Sequence, residues 1–564
     1  MGARPALQLR DGAVTPPPKP SAGRAASWRA ATLSPFRHRI FLLIWVASLV
    51  SNFGAVIQTV GASWLMTTLA PSPDMVALIQ AGTALPIMLL SLPAGAAADV
   101  FDRRLVMLTA QVFMLLTSLA LVITSTLGIV STGLLLGLTF LIACGSALNG
   151  PAWQSSVGDQ VPRSDISAAV SLNALNFNIA RSVGPAIGGL LVASFGPPST
   201  FLVNVLSYVA LILVLLTWRH PKAPNDLPPE RIASAVMTGV RYARRSSSIR
   251  RVVVRGTIFG LLGAALWALL PLVARNLLSG GPVVYGLLLG ALGGGAILGA
   301  LGAAWMRQRF PTQLIVDAGS LAFGVGCIVA ALSPTLLLTM AFLMIGGAAW
   351  VTTLSTFNIS VQLSVPRWVV GRAVAVYQTT TFGGMAIGSW IWGVVADQIG
   401  IVPTLVGTGV ALGLSLALGV LLPIPTAGSA NLDPWRDPSD SQEAVTIAPL
   451  SGPVVTTLEY RVAEADRAAF AAFMLRSMRP MRERDGALRW TLLQDIAEHE
   501  IWIERFQNPT WLDHLRQNHR RTVSDHDLEV RALAFHQSAA PPRVRHFLET
   551  DAAKAGSADH HEDW

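Results

Sequence analysis

The sequence predicts an all-α membrane protein of twelve transmembrane helices in two six-helix parallel repeats, followed by a small soluble α+β domain of ferredoxin-like order. Three observations predict it. Of 564 residues, 52% are hydrophobic and only 13% are charged, and the mean hydropathy is +0.52, too apolar for a soluble chain of this size. Apolar segments of about 20 residues, enough to cross a hydrocarbon core, recur from Ile40 to Leu422 with short polar breaks. The sequence also matches itself at one fixed offset.

The predicted spans are 40–67, 75–97, 104–126, 132–154, 168–194, 199–218, 253–274, 283–305, 312–331, 335–356, 371–396 and 402–422. Basic loops are retained on the cytoplasmic side. Arg and Lys crowd the leader, the loop after helix 2 (Arg103, Arg104), Arg163, the central connection (Arg219 to Arg251), Arg307, Arg309, Arg367 and Arg372, whereas the opposite loops hold only Arg275. A multi-pass protein of the inner or plasma membrane with both termini cytoplasmic is expected. Residues 1–36 read as a disordered cytoplasmic leader, because no compact apolar core precedes a small-residue cleavage site. The remaining divisions are an N-terminal bundle (37–220), a central cytoplasmic loop (221–250), a C-terminal bundle (251–423), a linker (424–452), a soluble domain (453–549) and a disordered tail (550–564). Cys144 and Cys327 fall inside predicted helices and read as small packing residues, not a disulfide.

The self-match is best where "VPRSDISAAVSLNALNFNIARSVGPAIGGLLVASFG" from Val161 meets "VPRWVVGRAVAVYQTTTFGGMAIGSWIWGVVADQIG" from Val365, an offset of 204. Gly184/Gly388, Gly189/Gly393 and Gly196/Gly400 are among the identical pairs. The same shift lays Gly95 on Gly299, Asp99 on Ala303 and Arg103 on Arg307. An offset spanning six helices keeps the two halves parallel, as in transporters whose halves are related by an axis along the membrane normal.

Twelve helices in two parallel halves with a basic central loop resemble the major facilitator superfamily. In "GAAADVFDRR", Gly95, Asp99, Arg103 and Arg104 match the superfamily signature GxxxD(R/K)xGRR, with Val100 at the basic position and Asp102 at the second glycine. "RSVGPAIGG" is similar to the fifth-helix antiporter motif GxxxGPxxGG through Gly184, Pro185, Gly188 and Gly189, with Ala180 replacing the first glycine. That motif implies export. "GPAWQSSVGDQVPRSDISAAVSLN" resembles the enterobactin-exporter-like branch, which includes macrolide-efflux relatives. The resemblance covers about residues 35–423. It implies that the Asp99 carboxylate lies against the positive N-terminus of helix 11 near Arg372 and holds the cytoplasmic gate closed.

Without Cβ atoms, Gly184, Gly188 and Gly189 allow close helix approach, and Pro185 permits a bend. They form either a pivot surface or simply a packing surface. Intramembrane polar groups are functional candidates by default. Asn52, Gln58, Gln80, Asn149, Asn173, Asn176, Arg181, Asn358, Tyr377 and Gln378 are the substrate-binding candidates, with interhelical hydrogen bonding as the alternative for the amides. Trp64, Trp153, Trp267 and Trp390 add aromatic surface or anchor at the headgroup level. Arg181 needs a water-filled cavity or an anion, so it either contacts an acidic substrate or reaches backbone carbonyls. No Asp or Glu is expected in the middle of a helix: Asp74 and Asp397 lie at outer ends, Asp99 and Asp159 at inner ends. Proton coupling, which the resemblance implies, usually draws on such a group.

Beyond the linker, "VVTTLEYRV" reads as a strand, "EADRAAFAAFMLRSMRPMRERDG" as a helix, "ALRWTLLQD" and "EHEIWIERF" as a hairpin, the next stretch as one or two helices and "RVRHFLE" as a last strand. This order resembles the antibiotic-biosynthesis-monooxygenase type of dimeric α/β barrel. The resemblance implies self-association, because such barrels need two copies to close. Trp490, His499, Trp502, His514 and His519 are residue types used by cofactorless oxygenases of that fold, but their spacing forms no diagnostic motif. Residues 453–564 carry 15 Lys and Arg against 18 Asp and Glu, a net of −3, which argues against nucleic acid.

The expected function is an alternating-access, proton-driven exporter of a small amphipathic or hydrophobic molecule, siderophore-like or drug. The alternatives are a transporter of lysophospholipids or other lipids, and an exporter fused to an oxygenase-like domain. The expected partners are a small-molecule substrate, membrane lipids and a second copy through the C-terminal domain. No catalytic residue, metal or cofactor is expected.

Overall fold

The computed structural model describes residues 33–70, 72–162, 165–218, 232–366, 369–424, 447–538 and 540–549, with Asn431, Leu432 and Trp435. Residues 1–32 of the leader and the last fifteen residues, read from sequence as disordered, lie outside the described residues, whereas the end of the leader is ordered, with Ser34 Oγ donating to Asp165 Oδ1 at 2.9 Å.

After a short turn at Ser34–Arg37, the first half runs α1 (Arg39–Leu69), α2 (Pro73–Val100), α3 (Arg103–Thr126), α4 (Thr132–Gln160), α5 (Ile166–Phe195) and α6 (Pro197–Thr217). The helix α7 (Ile232–Arg245) follows. The second half is α8 (Ser247–Leu272, continued by a π turn to Leu277), α9 (Pro282–Arg309), α10 (Thr312–Leu332), α11 (Leu336–Leu363), α12 (Val370–Ile399), α13 (Ile401–Leu414) and α14 (Ala417–Leu421). Among the described residues, ten helical segments are long and apolar enough to cross a membrane, with α13 and α14 counting as one from Ile401 to Leu421.

Local chemistry sets the ends. Pro73, Pro197 and Pro282 open α2, α6 and α9, where a missing amide hydrogen costs nothing. Asp102 caps α3 by accepting from the Arg104 amide at 2.9 Å and the Leu105 amide at 3.4 Å. That gives a job to the acid standing where the superfamily signature has glycine. Gly196 (φ 79°) and Gly400 (φ 92°) each turn the chain in one residue, between α5 and α6 and between α12 and α13.

Each half has its own interior. In the first, Gln58 Oε1 accepts from Ser118 Oγ at 2.8 Å and Asn204 Nδ2 at 2.5 Å, and Asn204 also donates to Tyr208 at 3.0 Å. In the second, Phe259, Phe323 and Trp350 stack with centroids 5.0 to 5.9 Å apart, and Trp267 joins at 5.8 Å.

Four expectations are corrected. The central loop holds α7, an amphipathic helix too short for a search that looks for membrane-length segments. The last predicted span keeps its length as Ile401–Leu421, but its helix is interrupted by a two-residue turn at Ser415 and Leu416, giving α13 and α14. The offset of 204 holds for helix starts 132/336, 166/370 and 197/401, but 73/282 and 103/312 are 209 apart. Arg103 therefore opens α3 whereas Arg307 sits in the last turn of α9, and the residue standing opposite Asp99 is Gln308 rather than Ala303. Finally, an acid does lie within a span: Asp317, on the second turn of α10, meets Arg255 of α8 at 2.7 Å.

The C-terminal segment forms β1 (Val454–Arg461), α15 (Arg467–Phe473), α16 (Arg479–Asp485), β2 (Leu488–Gln494), β3 (Ile501–Asn508), α17 (Trp511–His519), α18 (Val523–Leu533) and β4 (Arg543–Leu548). The four strands make one antiparallel sheet in the order β2-β3-β1-β4. Tyr460, Trp490 and Phe506 face the helices and join Phe470, Met474, Met478 and Met481 in its core.

Candidate functional site

The two halves meet along α5 with α9 and α2 with α12, their broadest mutual contacts. Alternate helices run in opposite directions, so the interface has a side carrying α7 and the sheet domain, here the tail side, and a far side. Glycines set the far-side contacts. A Cβ on Gly189 would sit 2.5 Å from the Pro282 carbonyl oxygen and 3.1 Å from Gly286 Cα, so α5 and α9 touch backbone to backbone. A Cβ on Gly393 would sit 2.6 Å from Ala77 Cβ and 3.0 Å from Asp74 Cα, which does the same for α12 and α2. Arg275 donates to the Thr67 carbonyl, and Trp64 stacks on Tyr285 with centroids 6.4 Å apart.

The other motif glycines face inward to their own half. Gly184 and Gly188 lie against α1, where a Cβ would meet Val56 Cγ1 at 3.0 Å and Val60 Cβ at 3.1 Å. Pro185 is buried between these two contact rows, and its carbonyl faces Gly286. Gly388, the counterpart of Gly184, packs on the Leu261 backbone of α8. Corresponding glycines thus choose corresponding neighbours: the first helix of their own half, or the second helix of the other.

Between the halves, the half-buried Arg181 of α5 lies over the indole of Trp267 on α8, its Cζ 5.0 Å from the ring centroid. Among the described residues no carboxylate pairs with it. A guanidinium on an aromatic face retains its charge and all its N–H donors. Asn149 Oδ1, Asn173 Oδ1 and Trp267 Nε1 are buried without a hydrogen-bond partner. Gln80 and Gln378 are half-buried.

Other polar candidates are engaged within a half. Asn52 Nδ2 donates to Asn176 Oδ1 at 2.9 Å, and Asn176 Nδ2 donates to the Trp45 carbonyl at 2.8 Å and Ser48 Oγ at 3.0 Å, tying α1 to α5. Gln58 belongs to the Ser118 and Asn204 network. Asn358 accepts from Gln362 one turn on, and Tyr377 donates to the Leu354 carbonyl at 3.4 Å.

On the tail side, Arg103 donates to Asp159 Oδ2 at 2.9 Å and to the Ser155 carbonyl at 3.1 Å, binding α3 to the end of α4. Arg104 donates at 2.8 Å to both the Leu215 and Leu216 carbonyls, a cation at the negative end of α6. Gly95 has open space at its Cβ position. The Asp99 side chain lies outside the described residues. Arg372 begins α12, where its Cβ abuts Gly239 of α7.

Sequence reasoning missed the cluster of Arg255, Gln313 and Asp317. Arg255 Nη1 donates to Gln313 Oε1 at 2.6 Å, Gln313 Nε2 donates to Asp317 Oδ2 at 2.6 Å, and the Ile424 amide closes on Gln313 Oε1 at 3.2 Å. Arg255 is only 5% exposed. An Arg and an Asp in separate apolar segments were the available signal.

In the sheet domain the residues of oxygenase type do not converge. Trp490 Nε1 donates to Glu504 Oε1 at 2.9 Å, Trp502 packs on Phe470, His499 is exposed beside the β2–β3 turn, and the His519 side chain lies outside the described residues. Arg482 bridges Glu504 at 3.3 Å and Glu529 at 2.8 Å. His514 is buried against Trp511 and His546; burial, then the His546 and Arg521 charges, push its pKa down to about 4.

Comparison with known proteins agrees with this architecture. The multidrug efflux pump Tap of Mycobacterium tuberculosis is 25% identical over 411 residues, 70% of this chain and 96% of that protein. The staphyloferrin A transporter of Staphylococcus aureus is 24% identical over 362 residues, 64% of this chain and 90% of its own. A bacterial homologue of the human lysosomal transporter Spinster superposes with a TM-score of 0.57 at 16% identity, covering 69% of this chain and 97% of its own, a likeness of fold. The profile of the transmembrane secretion effector family matches residues 30–554. The chain belongs to that family of major facilitator membrane transporters.

Proposed function

We propose that the protein exports a small amphipathic or hydrophobic molecule, a siderophore-like metabolite or a drug, by alternating access between two homologous six-helix halves. The observation that carries this reading is the matched pair of far-side contacts, Gly189 on α9 and Gly393 on α2. Backbone contacts through small residues hold helices by dispersion alone, so they separate and re-form without breaking buried ion pairs. On this reading the chain has twelve spans, and the arginine distribution supports cytoplasmic termini, with the far side outside the cell. Export is tested by profiling metabolites and drug susceptibility in cells lacking the protein. Accumulation of a compound, reversed by the native chain and not by Gly189→Leu, is expected; unchanged levels of every compound would contradict export.

Arg181 over Trp267 favours cargo with an anionic group, since an unpaired cation inside the membrane is stabilised by an anion. This also supports the second reading, an anionic lipid such as a lysophospholipid. Proton coupling, on this account, uses Asp317, the acid within a span, with Arg255 as the cation that takes over when Asp317 is neutral.

The sheet order supports a ferredoxin-like domain. Its face opposite the helices exposes Leu488 (40%), Leu493 (47%) and Phe547 (47%), a surface suited to a second copy.

A further inference from the structure

The sheet domain is docked on the transporter through α7. Gly239, Tyr242 and Ala243, three and four residues apart, form one buried face of that helix. That face lies against the membrane body: α7 touches α2, α8 and α12, and a Cβ on Gly239 would fall 2.7 Å from Arg372 Cβ. The helix thus bridges the tail-side ends of α2, from the first half, and α12, from the second.

From the sheet domain, α16 closes on α7. Arg245 Nη1 meets Glu483 Oε2 at 2.6 Å, and Glu483 Oε1 also accepts from Arg479 at 2.9 Å. Arg484 lies 5.4 Å over the Tyr242 ring while bonding Asp485 at 2.8 Å and Asp525 at 2.7 Å. Asp525 is in turn part of the capping box that starts α18. The Asp513 charge of α17 reaches Arg241. The linker is fastened to the same domain, with the Trp435 amide on the Arg521 carbonyl at 3.0 Å and its ring stacked 3.9 Å from His526.

We infer that α16 and α7 form a regulatory interface through which the sheet domain restrains the tail-side separation of α2 and α12. When α16 is docked, α7 is held across both halves; when it is released, α7 is free to leave the start of α12 and the tail side opens further. Any partner or second copy that engages the sheet domain and pulls α16 away would act on the transporter by this route. The inference rests on the alternating-access reading above.

The test is pulsed EPR on the full chain, with Cys144 and Cys327 replaced and spin labels at Gln154 and Leu363, exposed positions at the tail-side ends of α4 and α11. Arg245→Ala and Glu483→Gln are each expected to raise the population of long distances about two- to fivefold, at least the range of a surface ion pair, since Arg245 is exposed and Glu483 is buried. The double variant should raise it no further than either single, because the pair acts as one contact. Gly239→Val, which forces α7 from Arg372, should shift the same way. No shift in these variants, a shift to shorter distances, or additive effects of the two charge variants would overturn the inference. Gly189→Leu separates the two readings. If that variant moves the labels and the docking variants do not, only the docking inference fails; if none moves them, alternating access fails first.

Discussion

The helices α5 and α12 are 30 residues each, start 204 residues apart and end at glycines of the same backbone conformation. Their glycines touch equivalent neighbours: Gly184 and Gly388 the first helix of their own half, Gly189 and Gly393 the second helix of the other. Their polar residues differ. Where α5 has Arg181, α12 has Met385; where α5 has Pro185, α12 has Ser389. Arg181 reaches across to Trp267, whereas Met385 is buried against Gly260 in its own half. Both helices share the close packing, whereas a charge in the middle of the helix is found in α5 alone, the charges of α12 lying near its ends at Arg372 and Asp397. On the proposed mechanism, the shared packing serves movement and the Arg181 charge serves recognition.

The largest effects should come from breaking the shared part. Leu at Gly189 runs into the Pro282 carbonyl and Leu at Gly393 into the Ala77 Cβ, each closer than a Cβ tolerates, so each should reduce export about tenfold or more, while Gly95→Ala, with open space, leaves it unchanged. Export assays in cells decide this; tolerance of Gly393→Leu alone would mean that the two helices are not mechanically equivalent. Next comes the unshared part. Arg181→Met, which gives α5 the residue of α12, should lower export of an anionic amphiphile about tenfold and spare a neutral one, as expected for losing one charge-assisted contact. Equal loss for both cargoes would make Arg181 a packing residue.

A third substitution concerns the drive. Asp317→Asn should reduce accumulation under an imposed pH gradient about three- to tenfold while cargo exchange without a gradient continues. Loss of both would assign the cluster to stability alone. The smallest effect lies outside both helices. His514 is held at about 4 against an ordinary 6.5, so between those values the unfolded sheet domain binds more protons than the folded one. Its stability should be full above pH 6.5 and decline as pH falls toward 4, at no more than about 1.4 kcal/mol per unit. Tryptophan fluorescence melts of the full chain measure this, and His514→Gln should flatten the slope.

Much of this was legible in the sequence because it is local. Span length, arginine placement and the α5/α12 glycines follow from one-dimensional patterns, and so do the strands of the sheet domain, from Val454 to Leu548. What escaped depends on partners distant in sequence or on short elements. The α7 helix was invisible to a search for membrane-length segments. Arg255 and Asp317 are 62 residues apart, and only the packing of α8 on α10 makes them a pair. Gln58 looked like a cargo ligand until Ser118 and Asn204 converged on its carbonyl. Between the third and fourth helix starts the second half is five residues shorter than the first, 24 against 29, and this moved the Asp99 counterpart to Gln308, a change that a gapless self-match does not detect.

The central claim is that the halves rock, so that closing one side opens the other. Pulsed EPR on two label pairs measures it directly: Leu69 with Asn276 on the far side, and Gln154 with Leu363 on the tail side, each in the native chain and in Gly189→Leu. The account predicts that the substitution lengthens the far-side distance and shortens the tail-side distance together. A far-side change with the tail-side distance unmoved, or no change in either, would contradict it.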